Sequence, residues 1–370
     1  MKSLIKKRSI LFFLCLSLVL LTSTLSGCQE SEPVKTVKSE LNLIQKLDEN
    51  TIRNLISYED MVHSRSGSVD IGPDTTEAVQ LFFRNFHYRI LSSSTTEEQA
   101  TVNVEIENID AKALAKDLCL ELIADSVLPE SKEDTSVARN SYFTLLRDVL
   151  SSGNYDQVKT VAHFSLTKKD GHWSIQSSET LEDELVGGFI SCLHDPYLVT
   201  PEEIITKVLE MFKEETPENW VSSLGMNDIF LTYSTLYDKV DLALATQISK
   251  CFSYRIQKVT VKGNKATSLI DITSLDMESI LDTYLERLLD YASTTEAVRA
   301  TDTELADKTA SLLMECLNTN TKTCTKTIEI YFINNGVTWE MQLNGDFTDA
   351  LLGNMTEAIE RFQSEALPAS

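Results

Sequence analysis

The residues of this chain best suited to chemistry recur in pairs 166 positions apart. They are Tyr88 with Tyr254, Arg89 with Arg255, Asp110 with Asp276, and Trp173 with Trp339. A strand arginine can contact an anion inside a concave sheet, or it can pair with a carboxylate on the neighbouring strand. Glu105 and Asp271 are the carboxylates expected beside Arg89 and Arg255, and pairing is the favoured reading. Tyr88 and Tyr254 stand in an apolar stripe, which suits core tyrosines with bonded hydroxyls better than catalytic acids. Asp110 and Asp276 stand where a carboxylate would cap a helix. Trp173 and Trp339 alternate with Ile175 and Met341 and are expected to be equivalent core anchors.

The remaining reactive side chains form no recognisable set. His63, His87, His163, His172 and His194 are the five histidines, and no two have metal-ligand spacing. His163 and His172 flank a hairpin and could approach each other, but surface strand positions suit them better than a zinc site. There is no GxxxxGK[ST] loop, HExxH, CxxC, GxSxG or EF-hand run. The expectation is therefore no catalytic residue, no metal and no cofactor. Cys119, Cys192, Cys251, Cys316 and Cys324 have no cysteine 166 residues away, so the fold does not depend on a bridge. Cys316 and Cys324 are the nearest pair in sequence, although an odd count leaves at least one thiol free.

The elements that must position these residues also occur twice. From Phe86 to Asp110, eight of 25 positions are identical to the stretch 166 residues on: Phe86, Tyr88, Arg89, Ile90, Ala100, Thr101, Ile106 and Asp110. The same shift carries Gln176 onto Gln342, Asp183 onto Asp349, Leu185 onto Leu351 and Gly187 onto Gly353. Each copy reads as short helices, an alternating strand pair, central helices, a hairpin bearing tryptophan, and a last helix. Copy one turns its first hairpin through the polar run at 92–98 and its second through Lys168-Lys169-Asp170-Gly171. The stretch at 180–183 resembles a helix start, and a helix from Asp346 is its counterpart. His194-Asp195-Pro196 to Thr200-Pro201 is the linker, with Thr200 placed to cap the helix that follows. The fold class is α+β, two tandem copies of helices with a four-stranded antiparallel sheet.

The first 27 residues stand apart. Lys2, Lys6, Lys7 and Arg8 precede a twelve-residue apolar run from Ile10 to Leu21, too short to span a membrane comfortably. Leu25-Ser26-Gly27-Cys28 follows, and this closely resembles the lipobox of bacterial lipoproteins. The resemblance implies that the Cys28 thiol receives a diacylglycerol and that cleavage makes Cys28 the new N-terminus, with palmitate among the attached chains. It also implies a membrane-anchored chain on the extracytoplasmic face of the cell membrane. The expected divisions are signal peptide 1–27, tether 28–40, repeat one 41–195, repeat two 199–358 and a tail 359–370. The whole chain has 33 basic and 56 acidic residues, for a formal charge of −23. Loss of 1–27 removes four positive charges and leaves about −27. Such acidity repels phosphate backbones and argues against nucleic acid as partner.

The order of elements, with Asn108-Ile109-Asp110 and the paired tryptophans, resembles uncharacterised lipoproteins of Gram-positive bacteria. Those carry one or two domains of unknown function, cystatin-like or nuclear-transport-factor-2-like. The resemblance implies a monomeric binding or interaction module of the cell envelope, with an envelope protein or small molecule as ligand. The other function it implies is an enzyme of the isomerase or dehydratase type working in a cone-shaped pocket. Filled sheet concavities would favour the module. A buried Asp with a Tyr or His in an open pocket would favour the enzyme.

Overall fold

Val102, Val104 and Ile106 are wholly buried, while Asn103, Glu105 and Glu107 on the same strand are only half-buried. That alternation defines an antiparallel sheet with one face on a core and one facing water. The computed structural model describes residues 30–47, 73–127, 135–223 and 236–366. The signal peptide, Cys28 and all but the first seven residues of the helix that apolar spacing predicts over 41–56 lie outside them.

In chain order the first repeat comprises helices α1 (Glu32–Lys46) and α2 (Pro73–Phe82). Strands β1 (His87–Thr95) and β2 (Gln99–Ile109) come next, followed by α3 (Ala111–Val127) and α4 (Thr135–Ser152). It closes with β3 (Gln157–Lys169), β4 (His172–Ile175), α5 (Glu179–Leu185) and α6 (Phe189–Leu193). The second repeat opens with α7 (Pro201–Glu214), α8 (Pro217–Ser223) and α9 (Tyr237–Cys251), then β5 (Ser253–Lys262) and β6 (Lys265–Leu275). Helices α10 (Met277–Ala292), α11 (Thr295–Arg299) and α12 (Asp302–Thr319) follow. Strands β7 (Thr323–Asn334) and β8 (Trp339–Gln342) precede α13 (Gly345–Leu351) and α14 (Met355–Ala366). The sheets are meanders, β1-β2-β3-β4 and β5-β6-β7-β8.

Strand register repeats as faithfully as element order. Arg89 lies opposite Glu105 as Arg255 lies opposite Asp271. A bulge between Ile90 and Ser92 recurs between Ile256 and Lys258. The first hairpin is longer than its polar sequence suggested, because Thr95 still pairs with Ala100 and only residues 96–98 turn. At the second hairpin Asp170 and Gly171 both have positive φ, 52° and 81°, as a two-residue turn between twisted strands requires.

The chain separates into two compact units. The first holds residues 1–111 and 150–190, and the second holds 112–149 and 191–370. Helix α3 thus counts with the second unit, where Cys119, Leu120 and Ile123 pack on the core and Lys207 pairs with Glu121 at 2.5 Å. The first unit's core is the inner sheet face, with Phe164 and Leu166, covered by Val34, Val37, Leu41 and Ile44 of α1. The second unit's core is larger and adds a buried Trp220 and Trp339 to the corresponding sheet residues.

Several expectations are corrected. The tether over 28–40 is helical from Glu32, because Pro33 suits a first turn and Val34, Val37, Leu41 and Ile44 form one apolar stripe. The tail from 359 is helical to Ala366, where Phe362 stacks on Tyr284 with ring centroids 5.9 Å apart. The last helices begin one step earlier than read, capped by Ser178 and Asn344, whose side chains accept the Leu181 and Phe347 N–H groups. The expected linker at 194–201 lies inside the second compact unit, which takes in 191–370. The cap read at Thr200 is present: Thr200 and Glu203 form a reciprocal capping box with Pro201 in the first turn.

Candidate functional site

The paired arginines sit on the outer sheet faces. Arg89 donates to Glu105 at 3.0 Å, and Lys159 lies 3.4 Å from the same carboxylate. Arg255 donates twice to Asp271, at 2.6 and 3.1 Å, while Thr327 donates at 2.7 Å and Gln257 also reaches it. The Thr327 hydroxyl, then the Arg255 guanidinium, hold the Asp271 carboxyl below its usual range. These pairs brace neighbouring strands.

The tyrosines are bonded as expected of core residues. Tyr88 donates to Asn42 at 2.8 Å and Tyr254 to Glu210 at 2.7 Å, each joining a sheet to the first helix of its repeat. Burial, then the Glu210 carboxylate, push the Tyr254 hydroxyl well above its ordinary range, away from service as an acid. Asp276 caps α10 by accepting the Ser279 N–H at 3.1 Å.

His163 does not approach His172. Its backbone N–H and its Nδ1 meet the two carboxylate oxygens of Glu184, at 2.7 and 2.9 Å. That backbone group lies beyond the end of short β4, so Glu184 supplies the acceptor that a longer strand would have. Cys316 and Cys324 are not bridged, and none of the five described cysteines is in a disulfide. Burial, with Cys192 nearby, pushes the Cys119 thiol up to about 11, a direction that makes it a poor nucleophile. No group of His, Cys, Asp or Glu among the described residues is placed to hold a metal ion.

The concavity suited to a ligand lies in the second unit, beside the edge strand β8. It has a volume of about 370 Å³ and is lined by Ile123, Ser126, Trp339, Met341, Gln342 and Leu343, among others. β8 pairs with β7 on one side only, so its other edge presents backbone donors and acceptors toward the groove. The lining combines apolar surface with hydrogen-bonding groups, the Glu340 carboxylate among them. Such a mixed lining is that of a groove that holds a ligand. Sequence reading missed this groove because Ile123 and Leu343 are joined by no local pattern.

A second feature missed from sequence is Asp241 on α9. It is 1% exposed, and its Oδ1 has no hydrogen-bond partner. Burial, with Asp238 adding repulsion, pushes its carboxyl from an ordinary 3.8 up to about 6. The folded state then binds this proton more tightly than the unfolded state. Stability falls as pH rises from about 3.8 to about 6, and the penalty is complete above that window. Asp241→Asn is expected to raise stability near neutral pH by roughly 1–2 kcal/mol and to change little near pH 4. Denaturant unfolding of both proteins across this range checks it, and an advantage independent of pH would contradict it.

No family model matches this chain, and no curated protein matches it. A solved structure of a candidate lipoprotein (ycdA) from Bacillus subtilis is similar at 14% identity over 74% of this chain and 96% of that chain. Its TM-score is 0.26, a likeness too slight to carry fold or function. No helix among the described residues is long and apolar enough to cross a membrane.

Proposed function

We propose that this chain is a lipoprotein anchored through Cys28 on the extracytoplasmic face of the cell membrane, acting as a binding or interaction module of the envelope. The anchor rests on sequence. A basic segment, a short apolar run and Leu25-Ser26-Gly27-Cys28 stand in the order that a lipoprotein signal requires. The observation that carries the module is the state of the two sheet concavities. Both are filled by the protein's own side chains, α1 covering the first and α7 and α9 the second. A cone-shaped catalytic pocket of the isomerase or dehydratase type needs that space empty. The helix-covered four-stranded meander also supports the cystatin-like or nuclear-transport-factor-2-like resemblance. A ligand would instead be held at the surface, and the groove beside β8 is the proposed place.

Cys28→Ala is expected to abolish lipid attachment altogether. Two acyl chains hold a protein stably where a single chain gives marginal binding. Metabolic labelling with a radiolabelled fatty acid, in parent and variant, checks it. Label retained on the variant would refute the anchor.

A further inference from the structure

We infer that the β5–β6 hairpin is a second membrane contact, one that recognises anionic phospholipid at the bilayer surface. The inference rests on the anchored reading only for the proximity of a membrane. Residues 257–265 read Gln-Lys-Val-Thr-Val-Lys-Gly-Asn-Lys, three lysines without an acid in a chain whose formal charge is −23. Lys258, Lys262 and Lys265 are all exposed, and none is paired with a carboxylate.

Register places the three on one face. Lys262 lies opposite Lys265, and Lys258 opposite Leu269, at positions alternating along the outer side of the sheet. Across β6, Lys265 is opposite Ile333 and Thr267 is opposite Tyr331. Ile333 is 42% exposed and Tyr331 is 48% exposed. Of the acids on this face, Asp271 is paired with Arg255, and Glu329 and Glu340 lie on β7 and β8 rather than on the two strands that carry the lysines. Lysines flanked by exposed tyrosine and isoleucine have the composition of surfaces that settle at a lipid headgroup layer.

The fold does not require these lysines. The first repeat closes the same hairpin with Ser92, Thr96 and Gln99 at the matching positions, and with Glu97 and Glu98 in place of Gly263 and Asn264. The same hairpin thus carries two acids in one copy and three lysines in the other. The chain's overall acidity does not prevent contact. Charges more than about 8 Å from the surface are largely screened at physiological salt, so the local face decides.

The test uses the chain from Gln29, which keeps every described residue, and sedimentation with phosphatidylcholine vesicles with or without phosphatidylglycerol. Binding is expected on the anionic vesicles alone and should weaken as salt rises. Combining Lys258→Ser, Lys262→Thr and Lys265→Gln installs the first repeat's residues. It should weaken binding roughly a hundredfold with thermal unfolding unchanged. Equal binding by parent and variant would overturn the proposal, as would equal binding to both vesicle types. A lysine-dependent dimer without lipid would assign the face to a second copy and overturn it too. Failure of Cys28 lipidation would leave this assay untouched, so the two readings fail separately.

Discussion

Gly353→Ala is expected to destabilise the second unit by roughly 3 kcal/mol or more, while Gly187→Ala at the matching position costs about 1 kcal/mol. Both glycines end a short helix in the same way. Gly188 N–H bonds Asp183 O at 2.8 Å and Gly187 N–H bonds Glu184 O at 3.1 Å. Asn354 N–H bonds Asp349 O at 2.9 Å and Gly353 N–H bonds Ala350 O at 3.2 Å. This is the Schellman arrangement, with Gly187 at φ 68° and Gly353 at φ 71°. The left-handed backbone alone explains the smaller cost. What separates the two is the space each glycine faces. A Cβ at Gly187 would meet the Ala111 Cβ at 3.4 Å, an ordinary contact. A Cβ at Gly353 would lie 2.1 Å from the Leu275 carbonyl oxygen and 3.1 Å from the Met277 nitrogen. Those are backbone atoms at the junction of β6 and α10, where Ser274 also donates to Leu351 O, and they cannot rotate away. Denaturant unfolding of the two variants measures the difference. Equal losses would mean that the close approach at Gly353 does not exist.

The 166-residue shift made the two-sheet architecture legible, and strand alternation implied sheets buried on one face, the face that Val102, Val104, Ile106, Phe164 and Ile330 form. The Arg89–Glu105 and Arg255–Asp271 pairs were legible for the same reason, since a period-two strand puts residues opposite one another on one face. Helix α1 was legible only from Leu41, and its first half was not. Its stripe is carried by Val34 and Val37 inside a polar, proline-bearing run, and only the sheet it covers makes that stripe apolar enough to fold. Trp220 was passed over because it has no partner in the first repeat, yet it is wholly buried between Phe212 and Phe252. Asp241 gave no signal either. An aspartate on an amphipathic helix reads as solvated until its neighbours are known. The groove beside β8 depends on α3 packing in the second unit, a grouping that repeat arithmetic assigned elsewhere.

Trp339→Ala is expected to cost roughly 3–5 kcal/mol, and Trp173→Ala only about 1–2 kcal/mol. The repeat made these residues look equivalent, and their exposure separates them. Trp339 is 2% exposed, whereas Trp173 is half-buried with the Lys168 ammonium 5.8 Å from its ring centroid. The cause lies in what precedes each repeat. Tyr197 packs edge-on against Trp339 with ring centroids 6.2 Å apart, and Asn334 donates to Pro196 O at 2.6 Å, fixing the linker over the hairpin. The residue 166 positions before Tyr197 is Ser31, too small to cover an indole. Truncating Trp339 therefore removes a buried indole from the wall between core and groove, and truncating Trp173 removes one that water already reaches. Hydrogen exchange should show early opening of the second unit in W339A and near-parental protection of the first unit in W173A. Tyr197→Ser should shift tryptophan emission toward that of a wetter ring and recover part of the difference between the two sites. Equal losses in W339A and W173A would instead mean that linker packing does not set the burial of the anchor.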